Sequence, residues 1–291
     1  VLFYEISQKT GFTMAQLFAS WGIAVLPIVF LTIPAGVLGD RFGIRWIFGF
    51  GMCLAGIFGA LRGFSTTYPM FIISILLYGA SFPFAWVVLP KALGLYFPPQ
   101  QLGLANGILW VAWGAGASLA LMLSGTWLSP MLGGFSRVLL LLGIGSILVG
   151  ILWLITVRDL PKPAPGPGAS PVSILGILRN LLSKPAILML CLIYALFNGG
   201  WMGASGSYPM LAQKARNMSA LAANNVVSVA CWLFTLGAFL IPGASDRVGY
   251  RRPFYSLFIL ISGVGMLLTF LLSPPAVWLW AIVWGFAAGA T

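Results

Sequence analysis

Charged residues are scarce in this chain, and one charged pattern occurs in two places. The segment Asp40 to Arg45, DRFGIR, aligns without a gap with Asp246 to Arg251, DRVGYR. The chain has 4 acidic residues and no histidine, so these two copies hold half of its carboxylates. A glycine permits a tight turn, while the acid can meet helix-end amides and the arginines can pair with carboxylates or anionic lipid headgroups.

The chain has few residues that could catalyse a reaction or bind a metal. Without histidine and with so few carboxylates, the chain lacks the usual general bases and metal ligands, so we expect no enzyme activity, no cofactor and no metal site. The three cysteines, Cys53, Cys191 and Cys231, lie in apolar runs without ligand spacing. The net charge of +11 is spread over short loops, which argues against nucleic acid as a partner.

The elements that carry the two charged turns are long and apolar. With 60% hydrophobic residues, 7% charged residues and a mean hydropathy of +1.02, the composition is typical of an all-α polytopic membrane protein. A membrane-spanning helix needs about 20 apolar residues. The sequence offers nine such runs, which are Leu17–Leu38, Trp46–Phe64, Met70–Leu89, Leu104–Leu128, Val138–Val157, Ala186–Tyr208, Leu221–Ile241, Phe254–Leu272 and Ala276 to the end.

The spacing of the two turns predicts an internal duplication. Six runs separate the turn at Asp40 from the turn at Asp246, which indicates two six-span halves with the turn after the second span of each. We therefore expect a fragment of a twelve-span protein that lacks spans one, eleven and twelve. Residues 1–157 would form the first half bundle with spans two to six, and residues 186–291 the incomplete second one with spans seven to ten.

Residues 158–185 are predicted to form a linker. A Pro- and Gly-rich first part suits an extended spacer. The second part is either an amphipathic surface helix or a few turns leading into the next span. Ten of the 15 basic residues lie on one set of alternate loops, so the positive-inside rule puts both turns and the linker in the cytoplasm.

Two six-span halves, a long linker and the pattern G-x-x-x-D-R-x-G-x-R after the second span resemble the major facilitator superfamily of secondary transporters, over the whole chain. The first copy has all five motif residues; the second has a proline, Pro242, in place of the leading glycine. The resemblance implies two six-helix bundles with pseudo-twofold symmetry and a monomeric protein, and we expect it in a bacterial cytoplasmic membrane.

The resemblance also implies that the turns form a cytoplasmic gate. In this family the partner of Asp40 would be span eleven, and the partner of Asp246 the start of span five near residues 102–108. Positive-inside topology alone could explain the arginines, although it requires no acids. Asp159 is either a further member of the charge cluster or a solvated loop acid. The gate residues are Gly36, Asp40, Arg41, Gly43, Arg45, Asp246, Arg247, Gly249, Arg251 and Arg252.

The substrate is indicated chiefly by what the spans lack. No run carries Asp, Glu, Lys or Arg near its middle, where such groups usually mark ion pathways. Many proton-linked members of the family carry an arginine at the position of Ile75, and nitrate and nitrite porters carry one at the position of Thr32. This chain has neither arginine. Candidates for a substrate cavity are the amide Asn198 and a set of aromatic residues, for which an interhelical hydrogen bond and lipid-facing packing are the alternatives. The aromatic candidates are Phe84, Trp86, Trp110, Trp113 and Trp201.

These observations predict a transporter of a small, neutral or weakly polar organic solute that works by alternating access in a lipid bilayer. Whether a proton or ion is coupled to transport stays open. An anion porter related to the nitrate/nitrite or organic-anion branches is one alternative. A non-transporting membrane sensor or scaffold with the same fold is an alternative of another class.

Overall fold

The computed structural model describes residues 2–98, 101–158, 176, 179–180, 182–248, 251–268 and 271–290. The described part is almost entirely helical, with no strand. Thirteen α-helices have both bounds within the described residues: α1 Phe3–Thr10, α2 Met14–Ile23, α3 Val25–Phe42, α4 Ile44–Leu61, α5 Tyr68–Trp86, α6 Val88–Tyr96, α7 Leu102–Leu123, α8 Ser129–Leu132, α9 Phe135–Thr156, α10 Pro185–Arg216, α11 Ala220–Val248, α12 Arg251–Leu268 and α13 Pro274–Gly289.

Seven helical stretches in the described part are long and apolar enough to cross a membrane. Three of them combine helices: α2 with α3 over Met14–Phe42, α5 with α6 over Tyr68–Tyr96, and α7 with α8 over Leu104–Leu132. Two shorter apolar helices, Tyr255–Leu268 and Pro275–Gly289, follow. The polytopic all-α fold expected from the composition is therefore confirmed, and each of the nine predicted runs corresponds to one of these helical stretches.

The chain folds as two compact units. The first contains residues 1–109 and 119–160, and the second contains residues 110–118 and 161–291. The segment of α7 from Trp110 to Ser118 thus groups with the second unit. The predicted linker falls largely on residues 159–175, outside the described residues, so its two interpretations stay predictions.

Glycines set the close helix packing in the first unit. A Cβ atom added at Gly56 would lie 2.5 Å from the carbonyl oxygen of Gly143, and one added at Gly143 would lie 2.5 Å from the carbonyl oxygen of Gly56. Two backbones this close leave no room for side chains, which is how helices associate where lipid removes the hydrophobic driving force. The pair therefore locks α4 against α9.

Glycines also allow close helix packing in the second unit, between α11 and α13. A Cβ added at Gly285 would clash with the backbone of Ala230, and one added at Gly289 would clash with the backbone of Phe234. Ser118 and Ser228 attach the α7 segment to α11 through reciprocal hydrogen bonds, in which each hydroxyl donates to the other residue's carbonyl oxygen at 3.4 and 3.3 Å.

Short α1 is fixed across one end of the first unit. The Glu5 carboxylate accepts hydrogen bonds from the Ser129 hydroxyl at 2.5 Å and from the backbone N–H of Phe135, at the start of α9, at 2.9 Å. Ile6 on the apolar side of α1 is buried, as is Leu2, which precedes the helix. Between α7 and α8 the chain makes a π-helical turn over Ser124–Leu128, a wider turn than the α-helix.

Candidate functional site

The first candidate region is the turn that joins α3 to α4, here called the gate turn and defined as residues 36–45. Helix α3 ends at Phe42, and Gly43 follows with φ 94° and ψ 156°, a backbone conformation that side chains disfavour. Gly43 is also buried, and its N–H donates to the Gly39 carbonyl at 3.0 Å, which closes the end of α3. A glycine is therefore required by geometry at this position of the motif.

The motif acid has a partner within its own unit. The Lys91 ammonium on α6 lies 2.8 Å from the Asp40 carboxylate and donates a second hydrogen bond to the Gly36 carbonyl at 3.0 Å. The ammonium lies beside Asp40 in the last turn of α3, where a cation also complements the negative end of the helix dipole. Lys91 thus attaches the end of α3 to α6 through both the side chain and the backbone of the motif.

The two motif arginines are oriented differently. The Arg45 Nε donates to the Leu154 carbonyl at 2.7 Å near the end of α9, and its guanidinium lies 5.2 Å from the centre of the Trp46 ring. The exposed Arg41 guanidinium lies 5.5 Å from the ring of Phe42. Arg45 therefore ties the gate turn to α9, while Lys91 ties it to α6.

The second copy of the motif is described only in part. Helix α11 runs to Val248 and so includes Asp246 and Arg247, while α12 begins at Arg251 and includes Arg252. Gly249 lies outside the described residues, as do the side-chain positions of this copy, so its gate role stays a prediction. Asp159, the proposed additional charge, also lies outside the described residues.

The second candidate region is an aromatic cluster in the second unit. Phe234 on α11 lies at its centre, with ring centroids 5.1 Å from Trp201, 5.4 Å from Trp113 and 6.1 Å from Trp110. Trp201 on α10 continues to Trp284 at 4.5 Å. The term aromatic cluster refers below to Trp110, Trp113, Trp201, Phe234, Trp280 and Trp284.

Burial within the cluster is graded. Trp201 and Trp284 are 3% and 2% exposed, whereas Trp110 and Trp113 are partly exposed. Trp280 stacks on Trp284 at 4.7 Å, and its indole N–H donates to the Gly265 carbonyl at 2.7 Å. Buried rings therefore support two tryptophans whose surfaces remain partly accessible.

The other predicted cavity residues are placed separately. Asn198 donates to the Tyr194 carbonyl at 3.2 Å, one turn earlier in its own helix. Phe84 packs in the first unit with its Cβ near Gly51. Trp86 stacks on Phe82 at 5.7 Å and lines a cavity of about 430 Å³ in the same unit.

The sequence predicted three of the cluster tryptophans as separate candidates, Trp110, Trp113 and Trp201, but it did not predict Phe234, Trp280 or Trp284. Lys91 was not predicted as a partner of the gate turn either. The available signal was its place on the same predicted membrane side as Arg41 and Arg45.

The helices and their charged ends define a polytopic α-helical membrane protein built from two packed units. The profile of the Major Facilitator Superfamily matches residues 1–291. The chain belongs to this superfamily, as the repeated turns indicated.

Individual relatives are more distant. YybO of Bacillus subtilis strain 168, described as an uncharacterized transporter, is 28% identical over 103 residues, which are 35% of this chain and 24% of YybO. The match therefore spans about a quarter of that curated relative. A crystal structure of a bacterial homologue of the human lysosomal transporter Spinster superposes with TM-score 0.65 and 16% identity, covering 99% of this chain and 68% of that one. The nucleoside transporter NupG, as a D323A mutant, gives TM-score 0.67 and 16% identity with coverages of 99% and 74%. These structural likenesses support the fold.

Proposed function

We propose that the protein is a secondary transporter that moves a small, neutral or weakly polar organic solute across a membrane by alternating access. Membership of the Major Facilitator Superfamily supports transport as the activity. In this fold the two half bundles rock about a central site near the midplane of the membrane. The solute itself is inferred from the residues of the spans.

The observation that carries the choice of a neutral solute is the distribution of charge. In the described part of the chain, charged residues lie near helix ends or between helices, and the long apolar interiors of the spans carry none. A charged solute held at the middle of the membrane would need an opposite charge there, because an unpaired ion in hydrocarbon is costly. A neutral solute needs hydrogen bonds and shape complementarity instead.

Orientation and gating belong to the same proposal. The excess of basic residues on one set of loops supports a cytoplasmic position for both DRxGxR turns and the linker. There the gate turn closes the cytoplasmic end of the pathway in one state and opens it in the other. Lys91 supports this role because it gives Asp40 a partner within its own unit.

Transport can be tested in proteoliposomes by counterflow exchange with a panel of radiolabelled neutral, anionic and cationic organic solutes. We expect exchange of at least one neutral solute. Changing Asp246→Asn in the complete protein should reduce the exchange rate while membrane insertion and size-exclusion elution stay normal. Exchange restricted to anions would favour the anion porter, and binding of a solute without any exchange would favour the sensor; either result would overturn the proposal.

A further inference from the structure

The partly exposed tryptophans of the aromatic cluster lie on a different side of α7 from its exposed large apolar residues. In α7 these residues include Ile108 and Leu119, at 56% and 46% exposure. At 3.6 residues per turn, Trp110 and Trp113 are roughly 160° and 140° around the helix from Ile108. The accessible indole surface is therefore separate from the large apolar side chains of α7.

The exposed indoles are held in fixed directions. Trp110 and Trp113 meet edge to face at 6.0 Å with an interplanar angle of 77°, and both contact Phe234. Close packing beneath them limits movement, because a Cβ added at Gly114 would clash with the hydroxyl of Thr235. Ring faces and edges at right angles form a preorganised surface on which a flat ring can stack or meet an edge.

Charged groups lie far from this surface along the helices. On α11, Asp246 comes 12 residues after Phe234, about 18 Å at helical rise. On α10, Lys214 comes 13 residues after Trp201, about 20 Å. Aromatic faces alone can attract a cation, but no carboxylate of these helices is close enough to add to that attraction. The surroundings therefore favour a neutral ligand.

Resting on the transport function proposed above, we infer that Trp110 and Trp113 form a binding site for neutral solutes that carry a planar aromatic or heteroaromatic ring. The planar ring contacts the partly exposed indoles, and the buried part of the cluster keeps them in place. Saturated rings of the same size lose the face and edge contacts and bind more weakly.

A matched pair of probes tests this site. Benzamide and cyclohexanecarboxamide share a neutral amide and differ in the flatness of the ring. Binding to the protein in lipid nanodiscs is measured by ligand-observed NMR titration, with benzoate and benzyltrimethylammonium as charged comparisons. We expect benzamide to bind roughly three- to tenfold more tightly than its saturated partner, the range that one aromatic contact supplies.

Variants connect that preference to the named residues. Trp113→Leu should abolish the difference between the two amides, whereas Trp113→Tyr, which keeps a ring and guards against a folding defect, should retain it. Trp278→Leu, on α13 and outside the cluster, should behave like the parent. Equal binding of the two amides, an unchanged preference in Trp113→Leu, or tighter binding of either charged probe would overturn the inference. Exchange of neutral solutes without a preference for flat rings would contradict this inference but not the transport proposal. Absence of exchange for every neutral solute would contradict the transport proposal itself.

Discussion

The gate turn and the aromatic cluster use opposite kinds of interaction. At the gate turn the side chains of Asp40 and Lys91 are 70% and 37% exposed, so their ion pair is screened by solvent and is worth about 0–1 kcal/mol. In the cluster, Trp201 and Trp284 are nearly fully buried, and each aromatic pair adds about 0.5–1.5 kcal/mol beyond burial. The turn can therefore exchange partners at little cost, whereas the cluster keeps its shape. The proposed gating role and the proposed binding role thus fall on regions whose energetics suit each of them.

The largest effect is expected from removing a buried ring of the cluster. Trp201→Ala leaves a cavity beside Phe234 and Trp284 and should destabilise the protein by roughly 3 kcal/mol. Denaturant titration in detergent micelles would measure the loss. Trp127→Ala serves as the control, since Trp127 is 67% exposed and outside the cluster. Similar losses for the two variants would mean that the cluster is not a stabilising centre.

The next largest effect is expected at Gly143 of α9, which packs against Gly56 of α4. Gly143→Ala places a methyl group against the Gly56 carbonyl and should cost about 1–3 kcal/mol through overpacking of α4 on α9. Gly145→Ala, in the same helix, meets nothing within 4 Å and should be neutral or stabilising by about 1 kcal/mol from helix propensity. Thermal unfolding followed by size-exclusion chromatography compares them. Equal midpoints would contradict the close approach of the two backbones.

Breaking the ion pair at the gate turn should affect function more than stability. Lys91→Met should change the unfolding free energy by less than about 1 kcal/mol. It should nevertheless alter the rate of solute exchange, because Asp40 loses the partner that holds it within the first unit. Asp40→Asn should give a similar change, and the double variant should add little to either. Fully additive effects on exchange rate would show that the two residues act independently.

The smallest structural effect is expected at Asn198. Its amide donates within its own helix, so Asn198→Ala should change stability by about 0.5 kcal/mol or less. If the amide contacts the solute, apparent affinity or solute preference changes while the expression level does not. Ser207→Ala, which removes a comparable bond from a hydroxyl to the Gly203 carbonyl in the same helix, is the matched control. Equal exchange kinetics in both variants would remove Asn198 from the solute site.

The sequence was sufficient for the fold because hydrocarbon thickness dictates the length of each span. Each predicted run corresponds to a helix, and the repeated charged turns led to the family that the profile match establishes. The glycine at position 43 was predicted to permit a tight turn, and its φ of 94° is a conformation that other residues disfavour.

Contacts between residues that are far apart in the sequence could not be predicted in the same way. Lys91 follows Asp40 by 51 positions, and nothing in the local pattern of α6 distinguishes a lysine that binds a helix end from one that marks topology. The meeting of Trp110, Trp113 and Trp201 likewise depends on how three helices pack. Periodicity predicts the face of a helix but not which helix lies opposite, and tryptophan at a membrane interface gives the same signal.

The π-helical turn at Ser124–Leu128 has a consequence for alignment of the chain with its relatives. A wide turn holds one more residue than an α-helical turn while it covers about the same angle around the helix axis. The residues after it therefore keep the direction that they would have after one fewer residue in an ordinary α-helical turn. One inserted residue can thus be absorbed between α7 and α8 without turning Ser129 away from Glu5.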